Sequence, residues 1–304
     1  MRLNQIRVFL AVVESGSIRA AARSLEVSPP AVTKSIHQLE EELRVRLFER
    51  TQHGVVTTPA GRAFVARARV VRSELRKAAE EFARFSGEAT GSVAIGAGPT
   101  EIALIVPEAV AEFRRQVPGA GVRVVEGRRP TLLPLVRDET LDFSLGVGPG
   151  QARLDAGLTF RPLFRSDYVV IARKGHPLRN ERSLARLADA EWLTLAPPQR
   201  GQAGVVEQAF ASAGVRPPRP ATVECESFNG VVAVLGTTDI LALLGHRLLK
   251  APVAQGLLQE IPVSDPLPSA THGAFMRVDA RPTRTAAAML KVVGHVARRL
   301  AARR

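Results

Sequence analysis

Residues 17–43 read SIRAAARSLEVSPPAVTKSIHQLEEEL, and this stretch constrains the fold more than any other part of the chain. Ser17 can cap a helix, and Ala20, Ala21, Ala22 and Leu25 give that helix a small-residue face. Glu26 and Val27 interrupt it. Ser28 caps a second helix, and Pro29 stands in its first turn, where the missing amide hydrogen would be unpaired in any case. Val32, Ile36, Leu39 and Leu43 then step by four, three and four residues along one face. Two helices joined by a tight turn, the first packed through alanines, predict a helix-turn-helix. In that motif the second helix enters the DNA major groove with its N-terminal residues leading. Pro29, Pro30, Thr33, Lys34 and His37 lie at or near that end, the last three off the apolar face.

The flanks complete the unit. Leu3, Ile6, Leu10 and Val13 make the apolar face of a preceding helix, and Leu47 and Phe48 extend the core. A turn at His53-Gly54 before Val55, Val56 and Thr57 predicts a small hairpin, or wing, that brings Arg50, Thr51 and His53 within reach of phosphates or the minor groove. Thr58-Pro59 restarts helix, which should run to about Phe85. Phe64, Ala68, Val71, Leu75, Ala78, Phe82 and Phe85 alternate steps of four and three, an a/d stripe. So narrow a stripe favours a dimer seam over packing on the helix's own domain. Residues 86–90 are turn formers and read as a hinge.

Beyond the hinge, strand-like runs alternate with helical ones: SVAIGAG, then Thr100 to Gln116, VRVVEG, Thr131 to Arg137, and LDFSLGVG. A second series follows, with strands at DYVVIA, WLTLA, ATVECES, Ile240 to Leu244 and HGAFMRV. Its helices are at SLARLAD, Gln202 to Ala213, Phe228 to Leu235 and Thr283 to Leu300. The alternation predicts parallel sheet with helices on its faces.

The formal charge of +13 points toward polyanions, but the excess is spread, with 15 Lys and Arg against 10 Asp and Glu up to Thr90 and 27 against 19 beyond it. Cys225 is the single cysteine, which excludes an internal disulfide and a cysteine-rich metal site. The six histidines are scattered, without an HExxH pair, and there is no G-x-S-x-G elbow. Gly96-Ala97-Gly98 begins like a dinucleotide fingerprint, but Glu101 stands where its third glycine would be. No catalytic motif, metal or cofactor is therefore expected. Glu14 cuts the first apolar run short, and no stretch is long enough to span a bilayer, so a cytoplasmic protein with no membrane partner is expected.

These residues resemble the LysR-type transcriptional regulators along the whole of 1–304. The signature AAARSLEVSPPAVTKSIHQLEEEL, followed by LFERT and TTPAG, is the most specific part. LDFSLGVG, RPLFRSDYVVIARKGHPL and VVAVLGTTDILALLG are later landmarks. The resemblance implies an all-α winged helix-turn-helix over 1–58 and a dimerising linker helix over 59–85. A hinge follows at 86–90, then a two-lobed α/β effector domain over 91–304 like periplasmic binding proteins. One lobe would comprise 91–162 with 268–304 and the other 163–267. One departure is that Pro29 stands where the family very often has glutamine, and proline cannot contact adenine bidentately. His53 likewise replaces a common cationic wing residue.

In such a module a small ligand sits at strand carboxyl ends, where helices begin. Gly98, Pro99 and Thr100 open one helix, Gln202 another, and Ser227 and Phe228 a third, while Gly146 ends a strand. Thr100 would serve as hydroxyl donor, Gln202 as amide donor and Phe228 as apolar wall for an anionic or polar metabolite. The implied protein is a homodimer or homotetramer on dyad-symmetric promoter DNA in the bacterial nucleoid, acting with RNA polymerase. DNA contacts would come from Ser28, Pro29, Pro30, Thr33, Lys34, His37, Arg50, Thr51 and His53. The alternatives are a solute-binding module and an architectural DNA protein without effector.

Overall fold

A computed structural model describes all residues except 52–53, 84–90, 151–153, 155, 196–203, 222, 252–253 and 303–304, and gives only the backbone of Arg50 and Ala83. Two compact units comprise Met1–Thr90 with Arg137–Thr140, and Gly91–Val136 with Leu141–Arg304.

In the first unit, α1 (Leu3–Ser15) stops at Gly16, whose φ of 62° is left-handed and whose amide donates to the Val12 carbonyl. The helix α2 (Ile18–Ser24) is capped by Ser17, whose hydroxyl accepts from the Ala20 amide. Next, α3 (Pro29–Leu43) is capped by Ser28, which accepts from Ala31. Ala21 and Ala22 are buried, so α2 can lie close against its neighbours. The strands β1 (Phe48–Thr51) and β2 (Gly54–Thr57) pair antiparallel, with Phe48 opposite Thr57. The helix α4 (Pro59–Ala83) follows. Phe9 anchors the core, its ring 5.1 Å from that of Phe48 and 4.9 Å from that of Phe64. Gly61 is required where α4 passes the wing, because a Cβ there would lie 2.1 Å from the Leu47 carbonyl oxygen.

The a/d stripe of α4 divides. Phe64, Ala68 and Val71 pack on this unit's own core. Ala78 is exposed, Leu75 is 46% exposed and Phe82 70%. A seam beginning at Phe64 is therefore corrected: its first three positions face Phe9 and its neighbours, which a coiled-coil stripe alone does not reveal. Phe85 and the expected hinge lie outside the described residues.

The second unit begins with β3 (Ser92–Ala97), α5 (Pro99–Leu104), α6 (Val106–Gln116), β4 (Gly121–Glu126), α7 (Arg129–Arg137), β5 (Phe143–Val147) and β6 (Leu158–Arg173). It continues with β7 (Trp192–Thr194), α8 (Val205–Ser212), β8 (Val223–Glu224), α9 (Phe228–Thr237), β9 (Leu241–Gly245), β10 (Leu258–Ile261), β11 (Ser269–Arg277) and α10 (Arg284–Ala302). The strand order is β4-β3-β5-β11-β6-β9-β7-β8, with β10 also paired to β6. Residues 158–167 of β6 pair with β11 and residues 168–171 with β9, so this long strand joins two sheets.

The sheets are mixed, which corrects the all-parallel expectation. The pairs β3–β4, β3–β5, β7–β8 and β7–β9 are parallel, whereas β11 runs antiparallel to both β5 and β6. The chain leaves one sheet along β6 and returns along β11, and two opposed crossings must run in opposite directions. The helix expected from Thr100 to Gln116 breaks at Ile105. Pro107 has no amide hydrogen to continue the ladder there, so α5 and α6 form separately. SLARLAD makes only a 3-10 turn at Leu184–Leu187, and β10 was not foreseen.

Candidate DNA-binding face and ligand cavity

On α3, Pro29, Pro30 and Lys34 are exposed, and the His37 side chain is 54% exposed. The Ser28 hydroxyl is occupied with capping. The half-buried Thr33 donates its hydroxyl to the Pro29 carbonyl at 3.1 Å. What orients this face is Glu40, on the inner side of the same helix. Its Oε1 accepts from the Leu47 amide at 2.7 Å and the Phe48 amide at 3.1 Å, fixing β1 to α3. The Val55 amide donates to the Gly16 carbonyl at 3.0 Å, which ties β2 to the turn between α1 and α2. Gly54 is needed at that contact: its φ is 136°, and a Cβ would meet the Gly16 oxygen at 2.6 Å.

Thr51 is exposed on the wing, and its hydroxyl donates to the Gly54 carbonyl. The side chain of Arg50 and all of His53 lie outside the described residues. Thr33, His37, Arg46, Phe48 and Val55 line a groove between α3 and the wing. Arg46 was missed in the sequence because its connection carries no motif of its own. The result is a convex helix end beside a braced hairpin, with Lys34 and His37 outward and the carboxylate of Glu40 turned inward.

The second unit holds a cavity of about 380 Å³. Gly98, Pro99 and Gly146, read from the sequence, are on its wall. Thr100 is half-buried and is not among the lining residues. Ser227 is exposed at the start of α9, and Phe228 is buried in the core with Val231 and Leu235. Neither lines the cavity, and the apolar wall comes instead from Leu132, Leu145, Val147, Leu193, Leu195 and Phe275. Phe228 points inward because the apolar face of α9 must cover β9. Gln202 lies outside the described residues, but Gly204 and Val205 at the start of α8 reach the wall.

The charged groups of the cavity were not foreseen as its lining. Glu101 on α5 is 2% exposed, and its Oε1 lies 2.5 Å from Nδ1 of His272 on β11. The His272 ring stacks on Phe164 with centroids 4.7 Å apart. Gly98 leaves room for the other oxygen, since a Cβ there would come within 2.7 Å of Glu101 Oε2. Burial, and then the Glu101 charge, push the Tyr168 phenol above its ordinary pKa, so it keeps its proton at neutral pH.

On the wall after β4, Arg128 lies 3.8 Å from Glu226, and Arg129 donates to the Gly148 carbonyl at 3.4 Å beside the Phe275 ring. The Arg129 Nε is buried without a partner among the described residues. Two sequence signals were available: a charged residue inside an otherwise apolar helix start, Glu101-Ile102-Ala103-Leu104, and the Arg128-Arg129 pair after a strand.

Cys225 is half-buried, with its Sγ 3.4 Å from the Ser227 carbonyl. Among the described residues no group of three or more His, Cys, Asp and Glu could hold a metal, and no helix is long and apolar enough to cross a membrane.

Residues 3–62 match the model of the bacterial regulatory helix-turn-helix protein, lysR family, and residues 86–298 match that of the LysR substrate binding domain. The HTH-type transcriptional regulator PcaQ of Agrobacterium fabrum is 29% identical over 297 residues, covering 98% of this chain and 95% of that protein. The regulator TfdS of Cupriavidus pinatubonensis is 35% identical over 263 residues, 84% of each. The fold is similar to the crystal structure of CbnR, a LysR family transcriptional regulator, at a TM-score of 0.71 and 20% identity over 98% of this chain and 99% of that one. It is also similar to full-length CbnR complexed with its target DNA, at 0.69 and 19% identity over 97% and 100%.

Proposed function

The chain belongs to the LysR family of DNA-binding transcriptional regulators, and from that membership we propose how its own residues carry the function. Residues 1–58 bind DNA, 59–85 join two copies, 86–90 act as hinge, and 91–304 bind the effector, with lobes 91–162 plus 268–304 and 163–267. The N-terminal half of α3 enters the major groove. Lys34 meets a phosphate or guanine, and His37 and Pro30 lie beside it. Pro29, unable to bond a base edge, packs on a thymine methyl. Arg50, Thr51 and His53 follow the adjoining backbone or minor groove.

The observation that carries this reading is the Glu40 bond pair to Leu47 and Phe48, which holds the exposed end of α3 and the wing in one rigid arrangement. The exposed part of the α4 stripe, Leu75 and Phe82, supports association of two copies. Two recognition helices then read half-sites about one DNA turn apart. A small polar or anionic metabolite in the cavity changes promoter occupancy by binding two quaternary states with different affinity. The target places the protein at the bacterial nucleoid, with RNA polymerase as its neighbour.

The test is fluorescence anisotropy on the DNA upstream of its own gene against an unrelated duplex of equal length, at near-physiological salt. Tighter binding to the upstream DNA is expected. Equal, strongly salt-dependent binding to both duplexes would replace this reading with an architectural role.

A further inference from the structure

Resting on the reading of the cavity as the effector site, we infer that the effector is a zwitterion: an apolar-bodied amino acid or close amino-carboxylate. Its protonated amine is held by Glu101 and Tyr168, and its carboxylate by Arg129 with Arg128.

The cavity wall carries a negative site and a positive site in a largely apolar lining. At the first, Glu101 is almost wholly buried and only its Oε1 is occupied, by His272. Oε2 takes no hydrogen bond from the described residues and sits over Gly98, where the absent Cβ leaves space. A buried carboxylate with one oxygen unbonded is costly, and a donor from a ligand relieves that cost. Tyr168, on the same cavity wall, keeps its proton because burial and the Glu101 charge oppose ionisation. Its hydroxyl oxygen can accept from an ammonium held at the same wall. An anionic group placed here would meet the Glu101 charge at close range, so this pole selects against a second carboxylate.

At the other, Arg129 has a buried Nε that finds no partner among the described residues, and its guanidinium makes a long 3.4 Å bond to the Gly148 carbonyl. A guanidinium so placed lacks the bidentate anion that its geometry suits. Arg128 adjoins it, held among the described residues only by the 3.8 Å contact to an exposed Glu226. The same cavity wall carries Leu132, Leu145, Leu193, Leu195 and Phe275, which offer aliphatic and aromatic contact to the ligand's side chain. At about 380 Å³ the space lies at the small end of ligand pockets and suits a compact ligand.

The experiment titrates the full-length protein calorimetrically with L-valine, L-leucine, L-methionine, L-phenylalanine and L-2-aminohexanoate. Each is matched by its carboxylate without the amine and its amine without the carboxylate. At least one amino acid is expected to bind, with both truncated partners roughly tenfold or more weaker, because each leaves one buried pole unpaired. Glu101→Gln should bring the amino acid and its des-amino partner to within about threefold. Tyr168→Phe should narrow the same ratio without touching the Glu101–His272 contact, which covers the case in which Glu101→Gln fails to fold. Arg129→Gln should instead erase the preference over the free amine.

Binding by none of the amino acids, a des-amino carboxylate that binds as tightly as its amino acid, or a ratio unmoved in both Glu101→Gln and Tyr168→Phe overturns the assignment. The promoter anisotropy separates the two failures. Site-specific DNA binding that responds to a carboxylate alone discards the zwitterion and keeps the regulator, whereas loss of site preference discards the regulator whatever the cavity binds.

Discussion

Each unit of this protein buries a glutamate, and the two do opposite work. In the DNA-binding unit, Glu40 gives Oε1 to the Leu47 and Phe48 amides, and the half-exposed His37 lies 3.8 Å from its other oxygen. In the second unit, Glu101 bonds one histidine and turns its remaining oxygen to a cavity. A buried carboxylate satisfied by backbone amides fixes local geometry, because no side-chain rearrangement replaces those donors. One satisfied on a single side keeps unused bonding capacity for a partner that comes and goes. Rigidity suits a surface that must match DNA spacing, and unused capacity suits a site whose occupancy is the signal.

Glu40→Ala gives the largest expected effect. It leaves the buried Leu47 amide and the part-buried Phe48 amide without an acceptor and should destabilise the DNA-binding unit by roughly 2–5 kcal/mol. Urea denaturation followed by circular dichroism measures this, and a loss below about 1 kcal/mol would remove the bracing role. Glu101→Ala should cost less, roughly 1–2 kcal/mol, because it unpairs one histidine nitrogen beside a cavity that water can enter. An equal or larger loss than for Glu40→Ala would erase the contrast between the two glutamates.

Lys34→Ala sharpens the comparison on the DNA side. It should leave the melting temperature alone and weaken binding to every duplex by about fivefold, with the log–log salt slope falling by about 0.9. An unchanged slope would show that Lys34 touches no phosphate. The smallest effect belongs to Ser28→Ala. Its capping bond to the Ala31 amide is 3.4 Å long, so a loss of about 0.5–1 kcal/mol is expected, at the low end for a cap. A melting curve resolves that, and a loss above about 2 kcal/mol would mean that Ser28 does more than cap.

Much of the first unit was legible because its determinants are local. Ser17 and Ser28 cap where their types prescribe, and Ala21 and Ala22 of α2 are buried as their size suggests, with Ala20 half-buried beside them. The stripe on α4 was legible as a stripe but not as to what covers it, since Phe64, Ala68 and Val71 have the same spacing as Leu75 and Phe82. In the second unit the alternation of elements was readable, but strand direction was not. Period-two patterning is the same for parallel and antiparallel neighbours, so β6 and β11 gave no sign of running opposed.

The cavity divides in the same way. Gly98, Pro99 and Gly146 were found because glycine and proline at strand ends mark turns, and turns bring backbone to a cleft. Phe228 was misplaced because an apolar residue at a helix start fits a wall or a core equally well. Thus the sequence by itself determined the helix-turn-helix with its caps and the alternating α/β character of the rest, which follow from periodicity and short-range chemistry, and its motifs carried the resemblance to the family. Only the tertiary structure decided which charges meet. Glu101 and His272 stand 171 positions apart, and no local rule links them. They come together because β11 crosses back beside β5, the strand that also pairs with the one leading into Glu101's helix, and a pairing set by that crossover is a property of the whole fold.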